Sequence, residues 1–350
     1  MKYLFFILCC SLAIIICSCT KNDPGPVNRD TTGIFLKSNG IFVLNEGNFN
    51  SGNGSLSFYS CDSSKLYNNV FSNVNSRPLG DVPYTMTISG NKAYIVVNNS
   101  GKIEVVDKNT LNSLRTISDL TSPRYILLID GTKAYVSSLY SGKVTILDLK
   151  ADTVAGYIDI RRSSETMLLK GEKAYIACWA SGKDIMVINT KTDKVIDSIE
   201  VGQEPESIVL DKTGRLWVIC SGGYTGQYHA ELISINTATD EIDKRFVFPS
   251  TDSYPTSLQI NKTADTIYYI DKSVWRMNIE ASALPDQPFL PASGRSYYRL
   301  GVDLLDREIL VTNVMDYKEK GYLLRFNAKG SLIDSSKADI IPGSMCFKLY

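Results

Sequence analysis

A chain of 350 residues is too long for one ordinary core; it fits two domains or one closed repeat architecture. Its 37 Lys and Arg balance 37 Asp and Glu, which excludes the basic footprint of a nucleic-acid binder. A single histidine, His229, excludes His-cluster metal sites and leaves no spare base for a Ser-His-Asp triad.

At the N-terminus, Met1-Lys2 precedes an uncharged apolar run from Tyr3 to Cys17. That run is shorter than the roughly 20 residues of a membrane span and matches the apolar stretch of a secretory signal. It ends in Ile16-Cys17-Ser18-Cys19, which resembles a bacterial lipobox. Residues 1–18 therefore read as a lipoprotein signal peptide, Cys19 as the lipidated first residue and 19–32, with Pro24-Gly25-Pro26, as an extended tether. By resemblance to enteric lipoproteins, Thr20 in place of an Asp after the cysteine implies sorting to the outer membrane, with the protein expected at the cell surface and held there by lipid alone.

From residue 33 the chain repeats itself. Gly90-Asn91-Lys92-Ala93-Tyr94, Gly131-Thr132-Lys133-Ala134-Tyr135 and Gly171-Glu172-Lys173-Ala174-Tyr175 recur at intervals of 41 and 40 residues. Each is followed by a second apolar run opened by Gly-Lys, at Gly101, Gly142 and Gly182, and preceded by one often opened by proline, at Pro83, Pro123, Pro205 and Pro255. The runs are short, rich in Val, Ile, Leu and Tyr, and separated by turn residues. Four short strands in about 40 residues, repeated, predict an all-β propeller of four-stranded antiparallel blades. First strands (A) near Pro83, Pro123, Ser164, Pro205, Pro255, Ser296 and Pro342 make seven blades over 33–350. The N-terminal part begins at a second strand (B), Ile41–Leu44, and the C-terminal part ends in an orphan first strand at Pro342. Pairing the two closes the ring and removes its open edges.

In such a meander the A–B turns share one face, while the B–C turns and the crossovers between blades share the other. The second face is aromatic. Phe49, Tyr140, Trp179, Tyr224 and Tyr228, with Tyr317, lie in B–C loops; Tyr84, Tyr125, Tyr254, Tyr297 and Tyr298 lie at crossovers. With Arg124 and Glu206 these residues, Tyr317 apart, form the predicted ligand site, because aromatic side chains on loops of a rigid scaffold give broad contact at low entropic cost. Packing between blades is the alternative for each ring singly. Arg124, Arg161 and Arg162 are candidates to meet a phosphate, or else solvated rim charges. Cys178 and Cys220, at equivalent places in successive repeats, read as small buried thiols or, alternatively, a disulfide.

Leu44-Asn45-Glu46-Gly47-Asn48-Phe49, followed by Asn53-Gly54-Ser55-Leu56-Ser57-Phe58-Tyr59, resembles the YVTN-type seven-bladed propeller surface lipoproteins, among them the BtuG-type proteins that capture cobalamin. The resemblance implies a non-enzymatic lipoprotein that holds a nutrient, with cobalamin or a related corrinoid favoured, for a TonB-dependent outer-membrane transporter. No cofactor, catalytic residue or metal is expected. Two alternatives stand beside it. A metal-dependent propeller hydrolase or lyase would draw on Glu46, Asn98, Glu165 and Glu206 at the channel mouth. A glycan-binding or protein-interaction scaffold would use the same aromatic platform.

Overall fold

The computed structural model describes residues 37–303 and 308–349; the signal peptide, Cys19 and the tether lie outside the described residues. The apolar runs form strands that pair in sequence order into seven antiparallel sheets. Side-chain burial separates the strands of a blade. The B strand Gly40–Asn45 is buried at all six positions, whereas the D strand Ser113–Ile117 is exposed at four of its five. Inner strands are flanked by neighbouring blades on both sides, and the outermost strand faces water. That is why B strands such as Lys92–Val97 read as continuous apolar runs and show no alternation.

The ring closes as predicted. Pro342–Lys348 pairs with Gly40–Asn45, with Ile41 opposite Phe347 and Val43 opposite Met345, and so supplies the A strand of the first blade. In the sixth blade, Thr256–Ile260, Thr266–Asp271 and Ser273–Asn278 form a ladder of three strands. A single bridge from Val274 to Leu290 holds the fourth position. The B–C connection of that blade is the single residue Lys272, so the rim is low there. A helix, Val70–Asn75, was not legible as a 3.6-residue period because it spans fewer than two turns. Its Val70 and Phe71 join the core between the first two blades.

The Gly-x-Lys-Ala-Tyr repeat is a clasp between neighbouring blades. Lys92 Nζ and Tyr94 Oη donate to Asp152 at 2.6 and 2.7 Å; Lys133 and Tyr135 donate in the same way to Asp193, and Lys173 and Tyr175 to Asp240. Each acceptor sits with positive φ in the C–D turn of the next blade. The leading glycine serves the A–B turn, where Gly90 and Gly171 adopt φ of 59°. Around the axis a second set of bonds joins the inner strands. Ser344 Oγ donates to the Tyr84 carbonyl, Thr85 Oγ1 to that of Arg124 and Thr166 Oγ1 to that of Glu206; Ser207 and Ser257 Oγ accept from Leu258 N and Leu300 N. Cys178 and Cys220 are buried thiols, each pushed up by burial, Cys178 to about 12.

Replacing Asp193 by Ala removes the acceptor that the Lys133 ammonium and the Tyr135 hydroxyl share and leaves Lys133 only the Thr190 carbonyl. Urea unfolding is expected to show a loss of about 1–3 kcal/mol, against no shift for Asp159→Ala at the exposed Arg161 pair.

Candidate functional site

Where the A strand enters the channel, its register slips in every blade but the fourth. The shift follows Pro83, Pro123, Pro205, Thr256, Tyr297 and Pro342 in six of the blades. A bulge re-aims a side chain, and with one at or beside it in six of the blades, the residue after Pro83, Pro123, Ser164, Pro205, Pro255, Tyr297 and Pro342 turns toward the axis. Around the ring that place holds Tyr84, Arg124, Glu165, Glu206, Thr256, Tyr298 and, in the first blade, Gly343. The six that carry side chains line a cavity of about 600 Å³ at the channel mouth. Gly343 leaves a gap into which Glu46 of the first B–C loop reaches; a Cβ at Gly343 would lie 2.8 Å from Glu46 Oε1.

The floor of the cavity is a set of ions paired before any ligand arrives. Arg124 grips Glu165 with two bonds, Nε to Oε2 and Nη2 to Oε1, both 2.8 Å. Arg299 donates to Glu206 Oε1 at 2.8 Å and to the Tyr84 hydroxyl at 2.7 Å, and Tyr84 in turn donates to Glu165 Oε1 at 2.8 Å. Glu206 Oε2 takes the backbone N–H of Ser257 at 2.9 Å. Burial drives the Tyr84 phenol well above its ordinary range, so it stays protonated as the hub between the two pairs. Desolvation is the strongest single influence on Arg124 and opposes its charge, but the Glu165 carboxylate and the surrounding groups together outweigh it, so Arg124 stays a cation.

Above this floor stand aromatic walls. Trp179, Tyr254, Tyr297, Tyr298 and Tyr317 line the cavity, Tyr298 and Tyr317 meeting edge to face at 5.9 Å. Tyr125 lies beneath them against the edge of Tyr84, ring centres 5.6 Å apart, and does not line the cavity. Phe49, Tyr140, Tyr224 and Tyr228 stand on the outer rim, from 54% to 91% exposed, away from the cavity wall.

Seven of the twelve predicted ligand residues, Tyr84, Arg124, Trp179, Glu206, Tyr254, Tyr297 and Tyr298, are thus gathered in one place. The arginine cluster is not. Arg161 and Arg162 pair with Asp159 and Asp184 outside the cavity, while Arg77 holds the fully buried Glu104. Asn98 spends its amide on Ser122 and the Pro123 carbonyl and does not reach the channel. Among the described residues no three His, Cys, Asp or Glu side chains come together as metal ligands. His229 is bonded to the Phe248 carbonyl at 2.7 Å. Sequence reasoning missed Arg299. Its signal was positional: it follows the channel residue, where five other blades carry the Ser or Thr of the axial bonds.

A family model described as a domain of unknown function, DUF5074, matches residues 39–339. The chain belongs to the DUF5074 family. None of the curated proteins matches this DUF5074 chain. Among solved structures it is similar to a quinonprotein alcohol dehydrogenase-like protein of Bacteroides thetaiotaomicron, at 14% identity and a TM-score of 0.70, covering 89% of this chain and 78% of that one. It is also similar to virginiamycin B lyase of Staphylococcus aureus, at 11% identity and TM-score 0.57 over 72% and 83% of the two chains. A third is the hydrazine synthase of Kuenenia stuttgartiensis, at 14% and 0.57 over 75% and 86%. At these identities the likeness is one of fold.

Arg124→Ala leaves the Glu165 carboxylate, 1% exposed, without its cation. Urea denaturation is expected to show a loss of about 3–5 kcal/mol, and Arg124→Ala combined with Glu165→Leu to recover most of it.

Proposed function

We propose that this DUF5074 protein is a non-enzymatic binding protein that captures a small molecule in the aromatic-walled cavity at the channel mouth. One observation carries the reading: all seven blades send a side chain to that cavity, six from the A strand and the first, where Gly343 leaves room, from its B–C loop as Glu46. The floor supports binding, because its arginines and carboxylates satisfy one another and need no reorganisation when a ligand arrives. A volume of about 600 Å³ falls within the usual range for small-molecule sites, roughly 300–1,000 Å³. The low rim at the sixth blade gives lateral access, and the exposed rings of Phe49, Tyr140, Tyr224 and Tyr228 offer a wider platform for a ligand larger than the cavity.

Lipid attachment through Cys19 would place the propeller on the outer membrane, where it would pass its ligand to a TonB-dependent transporter. The lipobox resemblance supports that placement, and the Asn45-Glu46-Gly47-Asn48-Phe49 motif makes a corrinoid the first ligand to test.

Isothermal titration of the protein with cobalamin is expected to give saturable heat with a Kd of micromolar order or tighter, roughly −8 kcal/mol. Trp179→Ala with Tyr254→Ala should weaken it at least tenfold while leaving the thermal midpoint in place. No heat, and no colour retained on the protein, rejects the corrinoid.

A further inference from the structure

We propose that the ligand of this cavity carries a positively charged nitrogen, an ammonium or quaternary ammonium group, that pairs with Glu46 beside Tyr298 and Tyr317. The inference rests on the cavity being a ligand site and does not depend on a corrinoid being the ligand.

Three buried glutamates reach the channel, and two are matched: Glu165 by Arg124 and Glu206 by Arg299. Glu46 is not. Among the described residues it has no cation within 4 Å, and its carboxylate accepts from the Tyr298 hydroxyl alone, at 3.0 and 3.2 Å. It is 9% exposed. A buried carboxylate without a counter-ion is costly, yet the fold is built to admit this one. Glycine occupies the first blade's channel position, where any side chain would displace the carboxylate. The loop is also pinned behind it, with Glu46 N and Gly47 N donating to the carbonyls of Ile341 and Ile340 at 2.8 and 3.1 Å.

The surroundings select a cation over an anion. The cavity wall holds Glu46, Glu165, Glu206, Asp252 and Asp271 against Arg124, Arg295, Arg299 and Lys272, an excess of one negative charge. Arg299 and Arg124, the cations acting on Glu46, are already committed to Glu206 and Glu165, so neither is free to offset Glu46 for an anion; Arg295 and Lys272 stand on the wall without an ion pair among the described residues. Tyr317 is half exposed beside Glu46, with no lysine or arginine over its ring among the described residues, and offers a face for a cation–π contact. Burial raises the Glu46 pKa against the pull of Arg299, the Tyr298 bond and Arg124, and Glu165 adds to the rise. A bound cation would reverse that direction. At the other side of the cavity the Trp179 indole N–H is buried without an acceptor, which an acceptor on the same ligand would supply.

Isothermal titration with tryptamine, tryptophol and indole-3-acetate presents one ring with positive, neutral and negative side chains. Tryptamine is expected to bind at least tenfold tighter than the other two, a preference of about 1.4 kcal/mol. Its affinity should fall as pH drops into the range where Glu46 takes up a proton. Glu46→Gln should erase the preference while leaving the thermal midpoint unchanged or raised, since the unpaired buried charge is gone. Tyr317→Ala should reduce it in part. Equal or tighter binding of tryptophol or indole-3-acetate, or a preference that survives Glu46→Gln, would overturn the assignment while leaving the cavity a ligand site. The same holds if cobalamin binds and none of the three indoles does. No heat from any of the four would overturn both readings.

Discussion

Seven strands crowd one axis in this protein, and their backbones must be held at a fixed spacing without a core of their own to fill it. A ring of hydroxyl bonds does this. In five blades the residue after the channel position is Ser or Thr, and its side chain joins the next strand's backbone around the ring. At the two remaining places stand Tyr125 and Arg299, and both are spent on the site: one braces Tyr84, the other ties Glu206 to Tyr84. The axial bonds thus set the channel's geometry, and the two departures from them furnish its floor. The Lys-Tyr clasps on Asp152, Asp193 and Asp240 act farther from the axis, between a B strand and the next blade's C–D turn.

Closure makes these bonds cooperative. A ring left open would present the first blade's B strand as an exposed edge and interrupt the axial bonds between Ser344 and Tyr84. The C-terminal strand prevents both, and it carries the glycine that lets Glu46 into the channel. Closure and the site are therefore bound together in one seven-residue strand, Pro342–Lys348.

Ion pairing at the floor follows from the same crowding. Side chains from adjacent blades meet at the axis, where water is scarce, so any charge placed there needs a partner within reach. Arg124 with Glu165 and Arg299 with Glu206 satisfy that need across blades; Glu46 meets it with a phenol alone. The cavity is thus polar and ion-paired beneath and aromatic above.

Much of this was legible in the residues. The spacing of the Gly-x-Lys-Ala-Tyr copies determined the blade length, the seven first strands determined the number of blades, and the complementary ends determined how the ring closes. Those features are local or periodic, so a linear reading finds them. The aromatic face was legible as well, since the alternation of turns in a meander assigns each loop to an end. Only the tertiary structure decided which rings reach the cavity: Trp179 and Tyr254 do, while Tyr140 and Tyr224 stand outside, though all four sit in loops or crossovers on one face. It also decided that Arg124 meets Glu165 and not Arg161, and that Gly343 and Glu46, some three hundred residues apart, occupy one place. Such pairings depend on the angle at which neighbouring blades meet and on bulges that turn single side chains toward the axis, and neither is encoded in periodicity.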